Sequence, residues 1–274
     1  MICARCHHLA AAPGGTLCTS CAALPAPAVP PPAVPPPAVL PPAVLPPAVP
    51  PYTGRPQAWL RSPVALGRAA AAMLLLAAAA DLFAVWTDIV MYDVSGDLVN
   101  GSVGADVMRR ADDADRLYAV AGVTQLVTLL ASCVVFLCWF YRVRVNAEVF
   151  EPSGHSMKRG WAIGAWFTPI VNLWFPRRIA VDIWEASRPA DGPRSNWLVN
   201  TWWTLWIIGL MAGRLADTHY NQAVAAKELH QAAGEMMFSD ALDVIAAVFA
   251  VLVVLRLTRM QHEKALRGPA PAVA

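Results

Sequence analysis

The sequence predicts an all-α polytopic membrane protein: four transmembrane helices plus a re-entrant or interfacial helical segment, with a small cysteine-rich knuckle at the N-terminus. Three observations lead there. Apolar residues make up 57% of the 274-residue chain and charged residues 15%, against roughly 45–50% and 25% in an ordinary soluble domain. Four apolar runs are long enough to cross ~30 Å of hydrocarbon, which needs about 20 residues of helix. Four of the six cysteines fall within the first 21 residues as two Cys-x-x-Cys pairs.

The N-terminal pairs, Cys3-x2-Cys6 and Cys18-x2-Cys21, are separated by eleven residues that include Gly14 and Gly15, where the chain must reverse. Each pair brings two thiolates to one point, and two such turns make the S4 tetrahedron that Zn2+ favours. Residues 1–24 therefore read as a zinc-ribbon-like module with structural Zn2+ as its cofactor. A segment this short has almost no core, so metal binding would supply most of its folding free energy. Disulfides or metal-free thiols are the alternatives, and a cytoplasmic placement argues against disulfides. His7 and His8 lie beside the second cysteine as bystanders. With sulfur at all four positions the site is closed, with no open position for catalysis.

Residues 25–63 are proline-rich. Their middle repeats with period five, beginning at Ala28, Ala33, Ala38, Ala43 and Ala48. Proline fixes φ and lacks an N–H, which excludes helix and sheet and leaves polyproline II. At ~3.1 Å per residue, a 25-residue tract reaches on the order of 75 Å. A semi-rigid linker is the expectation; a ligand for an SH3-like domain is the sharper alternative.

The helical membrane domain is expected over 64–260, followed by a disordered cytoplasmic tail at 261–274. Its spans are Ala69–Tyr92, Leu117–Tyr141, Trp197–Gly213 and Ala241–Leu257. Trp161–Phe175 is too short to cross and is interrupted by Pro169 and Asn172, so it is expected to dip or to lie at the interface. After it, Ile179, Ile183 and Trp184 share one helical face, while Arg178 and Asp182 are spaced to pair at i,i+4. That pattern suits a helix in the headgroup plane. Ser239-Asp240 reads as the cap that opens the last span.

Basic residues set the orientation. Counted before, between and after the four spans, with Arg256 at the end of the last span taken with the C-terminus, they number 4, 3, 8, 2 and 4. That alternation puts both termini in the cytoplasm and residues 93–116 and 214–239 outside, in the cell membrane. The N-terminal stretch Met1–Leu9 has no apolar core with a cleavage site, so the first span is expected to direct insertion. Eight of the eleven tryptophans lie between Trp161 and Trp206, as an interfacial anchoring belt would require. The formal charge of +2 gives no basis for a nucleic-acid partner. Arginine far outnumbers lysine, and alanine and proline abound, as in GC-rich bacterial genomes.

The tract Trp139-Phe-Tyr-Arg142-Val-Arg144-Val-Asn146, then Arg159-Gly-Trp161, Trp166-Phe-Thr-Pro169, Asn172-Leu and Pro176, resembles the domain of unknown function 4328 family of bacterial multi-pass membrane proteins. The likeness covers roughly 64–260 and omits the cysteine module and the proline tract. It implies a helical membrane domain and no reaction, because that family carries no established activity.

Two further groups are candidate sites. Asp81 lies near the middle of the first span, where an unpaired carboxylate costs about 2.5–3.5 kcal/mol on translocon scales. Asp88 follows seven residues later on the same face. They read either as an intramembrane proton or cation site, or as a carboxyl neutralised or paired within the bundle to a residue such as Gln125. Arg142, Arg144, Arg177 and Arg178 are candidate contacts for lipid headgroups or an anionic ligand, since guanidinium pairs bidentately with phosphate; topology-setting charge is the plainer account. His219 and His230, eleven apart, read as a solvated helical face, too distant to share a metal.

There is no His-Glu-x-x-His, no Gly-x-Ser-x-Gly and no Walker loop. Three functions compete. The first is a non-enzymatic membrane module whose zinc element and spacer, residues 1–50, recruit a cytoplasmic protein partner to the lipid bilayer. The second is a lipid-headgroup-acting enzyme, and the third a small transporter or channel subunit built around Asp81. The modular layout favours the first.

Overall fold

The computed structural model describes residues 1–25, 60–189, 192 and 194–267. The proline-rich linker expectation, save residues 25 and 60–63, falls outside them, as does the tail beyond Arg267. The chain divides into two units, Met1–Gly54 and Arg55–Ala274. Among the described residues there are seven α-helices and no β-strand.

The first unit is held by turns and by its cysteines. An isolated antiparallel bridge joins Ile2 to Ala10, Gly14 turns with φ +88°, and a four-residue helix, α1 (Thr19–Ala22), carries Cys21. The buried residues are Cys3, Cys18 and Cys21, with Cys6 and Leu17 packed against them. Such a cluster is too small to stabilise a fold by apolar burial alone.

The second unit is built on α2 (Val64–Val99), α3 (Ala105–Phe150), α6 (Trp197–Gln222) and α7 (Ala226–Arg267), with two short helices, α4 (Trp161–Phe167) and α5 (Phe175–Ser187), between α3 and α6. Three of them, α2, α3 and α7, are long and apolar enough to cross a membrane. At 36, 46 and 42 residues they measure about 54, 69 and 63 Å, well beyond a hydrocarbon core. The helices therefore continue past the apolar runs into polar sequence. Asp93–Val99 is helical, and α7 begins at Ala226, so Ser239-Asp240 is no cap. Ser239 is instead buried in mid-helix. The rise in hydropathy at Ala241 marks a change of surroundings, not a helix start.

α6 has the length of a span but falls short in apolarity, because its tryptophans, Asn200 and threonines replace aliphatic residues. It lies against α7 through Gly209 and Gly213, four apart on one face. A Cβ at Gly213 would meet the Ser239 hydroxyl at 3.2 Å, and one at Gly209 would collide with the Asp243 carboxyl. Small residues at this spacing let two backbones approach closely. The α2–α7 contact follows the same rule: Ala70, Ala71, Ala78 and Ala84 are buried, and Gly67 sits against the Thr258 side chain.

Side-chain contacts fix the helix directions. Ser95 and the Tyr92 carbonyl near the end of α2 bond His230 near the start of α7, and Tyr118 early in α3 stacks on Tyr220 late in α6. At the other end, Asn146 bonds both the N–H and the carbonyl of Arg61 and also Gln261. The four long helices thus run up and down, with turns 100–104 and 223–225 at one end. His219 and His230 belong to different helices, since Ala223–Ala225 separates them. His219 pairs with Glu235, so the single solvated helix face expected for them does not exist.

The apolar segment after α3 is broken as expected, at Pro169 and Ile170; Ile170 has φ +65°, and a 3-10 turn at Val171–Leu173 follows. α5 is amphipathic, but Ile179, Ile183 and Trp184 are buried in the protein core and not turned to lipid. Asp182 accepts from the Ser156 N–H and hydroxyl, not from Arg178. The tryptophans divide in two. Buried Trp202 and half-buried Trp166 pack on Phe136, Trp166 also on Phe140, and buried Trp203 and half-buried Trp206 pack on Trp166. Trp161, Trp174 and Trp197 are exposed. Part of the expected belt is therefore an aromatic core, because an indole suits an interior as well as an interface.

α7 continues through Arg267, seven residues into the stretch expected to be a disordered tail. Gln261 there is 1% exposed and donates to the Val143 carbonyl and the Ser187 hydroxyl, while Lys264 caps the α5 terminus at the Ala186 carbonyl. The bonds to α3 and α5 hold this turn in helix.

Candidate metal centre

The two Cys-x-x-Cys turns bring four sulfurs together. The Sγ atoms of Cys3, Cys6, Cys18 and Cys21 all lie within 4.8 Å of one another. Cys6 Sγ and Cys18 Sγ are 3.8 Å apart, far beyond a disulfide bond, and all four cysteines are free. Zinc–sulfur bonds of ~2.3 Å in a tetrahedron place neighbouring sulfurs about 3.8 Å apart, so the donor set fits a metal of that kind. Three of the four sulfurs belong to buried residues. Among the described residues no further His, Cys, Asp or Glu joins the four sulfurs.

Backbone geometry prepares the sulfurs. The Cys18 N–H donates to Cys3 Sγ at 3.2 Å. Hydrogen bonds from this amide, and from those of Arg5 and Cys6, bring the Cys3 thiol down to about 6. The amides of His8 and Leu9 likewise lower Cys6. Cys21 moves the other way, pushed up to about 12 by its hydrogen bond with Cys18 and by burial. Amides aimed at the sulfurs favour the thiolate form that a metal ligand takes. His7, with φ +55°, occupies the tight turn after Cys6. Neither His7 nor His8 joins the sulfur group.

The other candidate residues separate. Asp81 accepts from Gln125 Nε2 at 3.2 Å, the pairing the sequence offered as its alternative. Asp88 is 1% exposed. Arg144 is not at a headgroup surface: it is 3% exposed, donates to the Met157 carbonyl at 2.7 Å and pairs with Glu148, which Arg159 also holds. Arg142 is half-buried, while Arg177 and Arg178 are exposed, with Arg177 donating to Asn200. The four arginines thus do not form one anion site. The Arg144–Glu148–Arg159 group was missed in the sequence because its members lie on α3 and the following loop, with no short-range pattern beyond the i,i+4 pair Arg144 and Glu148.

A bundle of long apolar helices joined to a compact unit with a metal-competent cysteine cluster defines the class: an integral-membrane type of helical protein with an appended cysteine module. The chain belongs to the family described as Domain of unknown function (DUF4328), which it matches over residues 104–259. The match takes in α3 to most of α7 and leaves out the cysteine unit and α2, including Asp81 and Asp88. Comparisons with curated proteins and with solved structures found no match.

Proposed function

We propose that this protein is a non-enzymatic membrane module that displays a structural zinc element to a cytoplasmic protein partner. The observation that carries the proposal is the closed set of four sulfurs, Cys3, Cys6, Cys18 and Cys21, with spacing suited to tetrahedral Zn2+. A site saturated by protein ligands organises a fold and has no position for a substrate. In this reading residues 25–63 link the zinc element to the membrane helices. The bundle crosses four times, α6 being the Trp-rich fourth span, and both termini are cytoplasmic in the cell membrane. The family match gives no reaction to set against this.

Two measurements test it. Full-length protein kept reduced throughout purification contains one zinc per chain, and Cys18→Ser, which removes one ligand, lowers that to near zero. Site-specific cross-linking in intact cells then yields a discrete adduct from the full chain that is absent when residues 1–50 are deleted and absent from Cys18→Ser. Zinc-free reduced protein sinks the metal claim. An adduct that survives both changes sinks the recruitment claim and leaves the zinc element as a local fold.

A further inference from the structure

The middle of the bundle is polar. On α2, the apolar cluster that includes Ala70 and Ala71 lies to one side and the smaller one with Met91 and Val94 to the other; Asp81 and Asp88 fall between. On α7, Ala233 belongs to the small cluster and Ala250 to the large one; Asp240 and Asp243 fall between. On α3, Gln125 has the same place between Ala114 and Phe136. Three helices therefore contribute to one polar layer, whose aspartates are Asp81, Asp88, Asp240 and Asp243.

The contacts join these residues into one site. Gln125 Nε2 donates to Asp81 Oδ1 and to Asp240 Oδ1, 3.2 Å each, so one amide bridges α2 and α7. The antiparallel register, fixed by Ser95 on His230 at one end and Gly67 on Thr258 at the other, sets Asp240 of α7 opposite the stretch of α2 between Asp81 and Asp88. Asp88 is 1% exposed, and its Oδ2 has no hydrogen-bond donor. Asp243 lies one turn along α7 from Asp240, over the Gly209 backbone of α6. Among the described residues no lysine, arginine or histidine pairs with any of the four. The other titratable groups around them include Tyr118 and Asp115 of α3 and Tyr220 and Asp217 of α6, all neutral or negative.

Carboxylates gathered in one buried layer cannot all stay charged without something positive among them. A metal cation would need several oxygens converging on one point, yet the four carboxyls do not gather as the cysteines do, and the bridging group is an amide N–H2, which repels a cation. A proton meets the requirement. We propose that Asp88 and Asp240 share an exchangeable proton, with Gln125, Asp81 and Asp243 completing a proton-binding site inside the bundle. Along α2 the two carboxyls stand about 10.5 Å apart, so the site extends along the bundle axis, the arrangement a proton-relaying membrane protein requires. The proposal is independent of the zinc element, and its failure would leave that reading untouched.

Infrared difference spectroscopy of the full chain in lipid vesicles, titrated through pH, tests it. A protonated-carboxyl C=O band is expected at neutral pH, disappearing on alkalinisation. It is lost in Asp88→Asn and in Asp240→Asn and kept in Asp93→Asn, whose carboxyl is exposed. Parent protein with no such band at neutral pH overturns the proposal, a result that needs no variant to fold. A band unchanged in both Asn variants overturns it too. Displacement of the band by Na+ or K+ at fixed pH would assign the site to a metal cation and overturn it equally.

Discussion

His155 shows how much a single side chain can reveal about its surroundings. It lies in the loop after α3, half-buried, and neither ring nitrogen has a hydrogen-bond partner. Burial, reinforced by the Arg144 guanidinium, pushes its pKa below the ordinary histidine value. A folded state that binds the proton less readily than the unfolded chain loses stability as pH falls below the unfolded value of about 6.5. Glu148 acts in a lower window. Burial opposes its charge, but Arg159 and Arg144 outweigh burial and hold its pKa below the usual carboxylate range. The stability this contributes is present above the unfolded value and is lost only as pH falls through the lower folded one. Thermal unfolding in detergent should therefore decline gently from about pH 7 to pH 5.5, and His155→Gln should flatten that decline while leaving the more acidic one in place. An unchanged slope in His155→Gln would show that the group does not titrate with folding. Little of this was legible in the sequence. Arg144 reads as a topology charge, with a headgroup contact as the alternative, and only its 3% exposure places it inside. The cysteines differ, because the spacing of the ligands is itself the geometry.

Helices were legible by their apolar runs and misread at their ends. The run Ala241–Leu257 marks where α7 meets apolar surroundings, but the helix starts fifteen residues earlier, at Ala226, because hydrogen bonding along the backbone does not stop where hydropathy does. Asp240 and Asp243 were missed for that reason: at the polar edge of a run, an acid looks like a cap. Asp243 lies over Gly209 and Ser239 over Gly213 of α6, a pairing of helices that sequence alone does not make. α5 was legible as amphipathic, but periodicity does not say whether lipid or protein receives the apolar face. The elements are tied together by Asn146, 1% exposed, which joins the start of α2, the end of α3 and the end of α7. Asn146→Ala leaves the amide of Gln261 and the Arg61 backbone with fewer partners, and should cost about 1–3 kcal/mol. Thermal unfolding of the detergent-solubilised variant checks this, and a melting temperature equal to the parent's would mean that water replaces the side chain at no cost.

At the scale of the whole molecule, the up-and-down order of α2, α3, α6 and α7 puts the turns 100–104 and 223–225 at one end of the bundle, next to the contacts of Ser95, Tyr118, Tyr220 and His230. Three of the four long helices are apolar enough to cross on composition alone. α6 packs antiparallel to α7 along the Gly209–Gly213 face, so a bundle that crosses with α7 carries α6 with it. In the proposed topology the basic residues, sparse in the segments at that end and dense at the other, put the turns outside. Cysteine-accessibility labelling in intact cells, with native cysteines replaced and single cysteines introduced in turn, measures this directly. The account predicts that Ser102→Cys and Val224→Cys react with an impermeant reagent from outside, and that Ala272→Cys reacts only after the membrane is opened. Labelling of Ala272→Cys from outside, with Val224→Cys protected, would contradict the four-span bundle and both termini's placement with it.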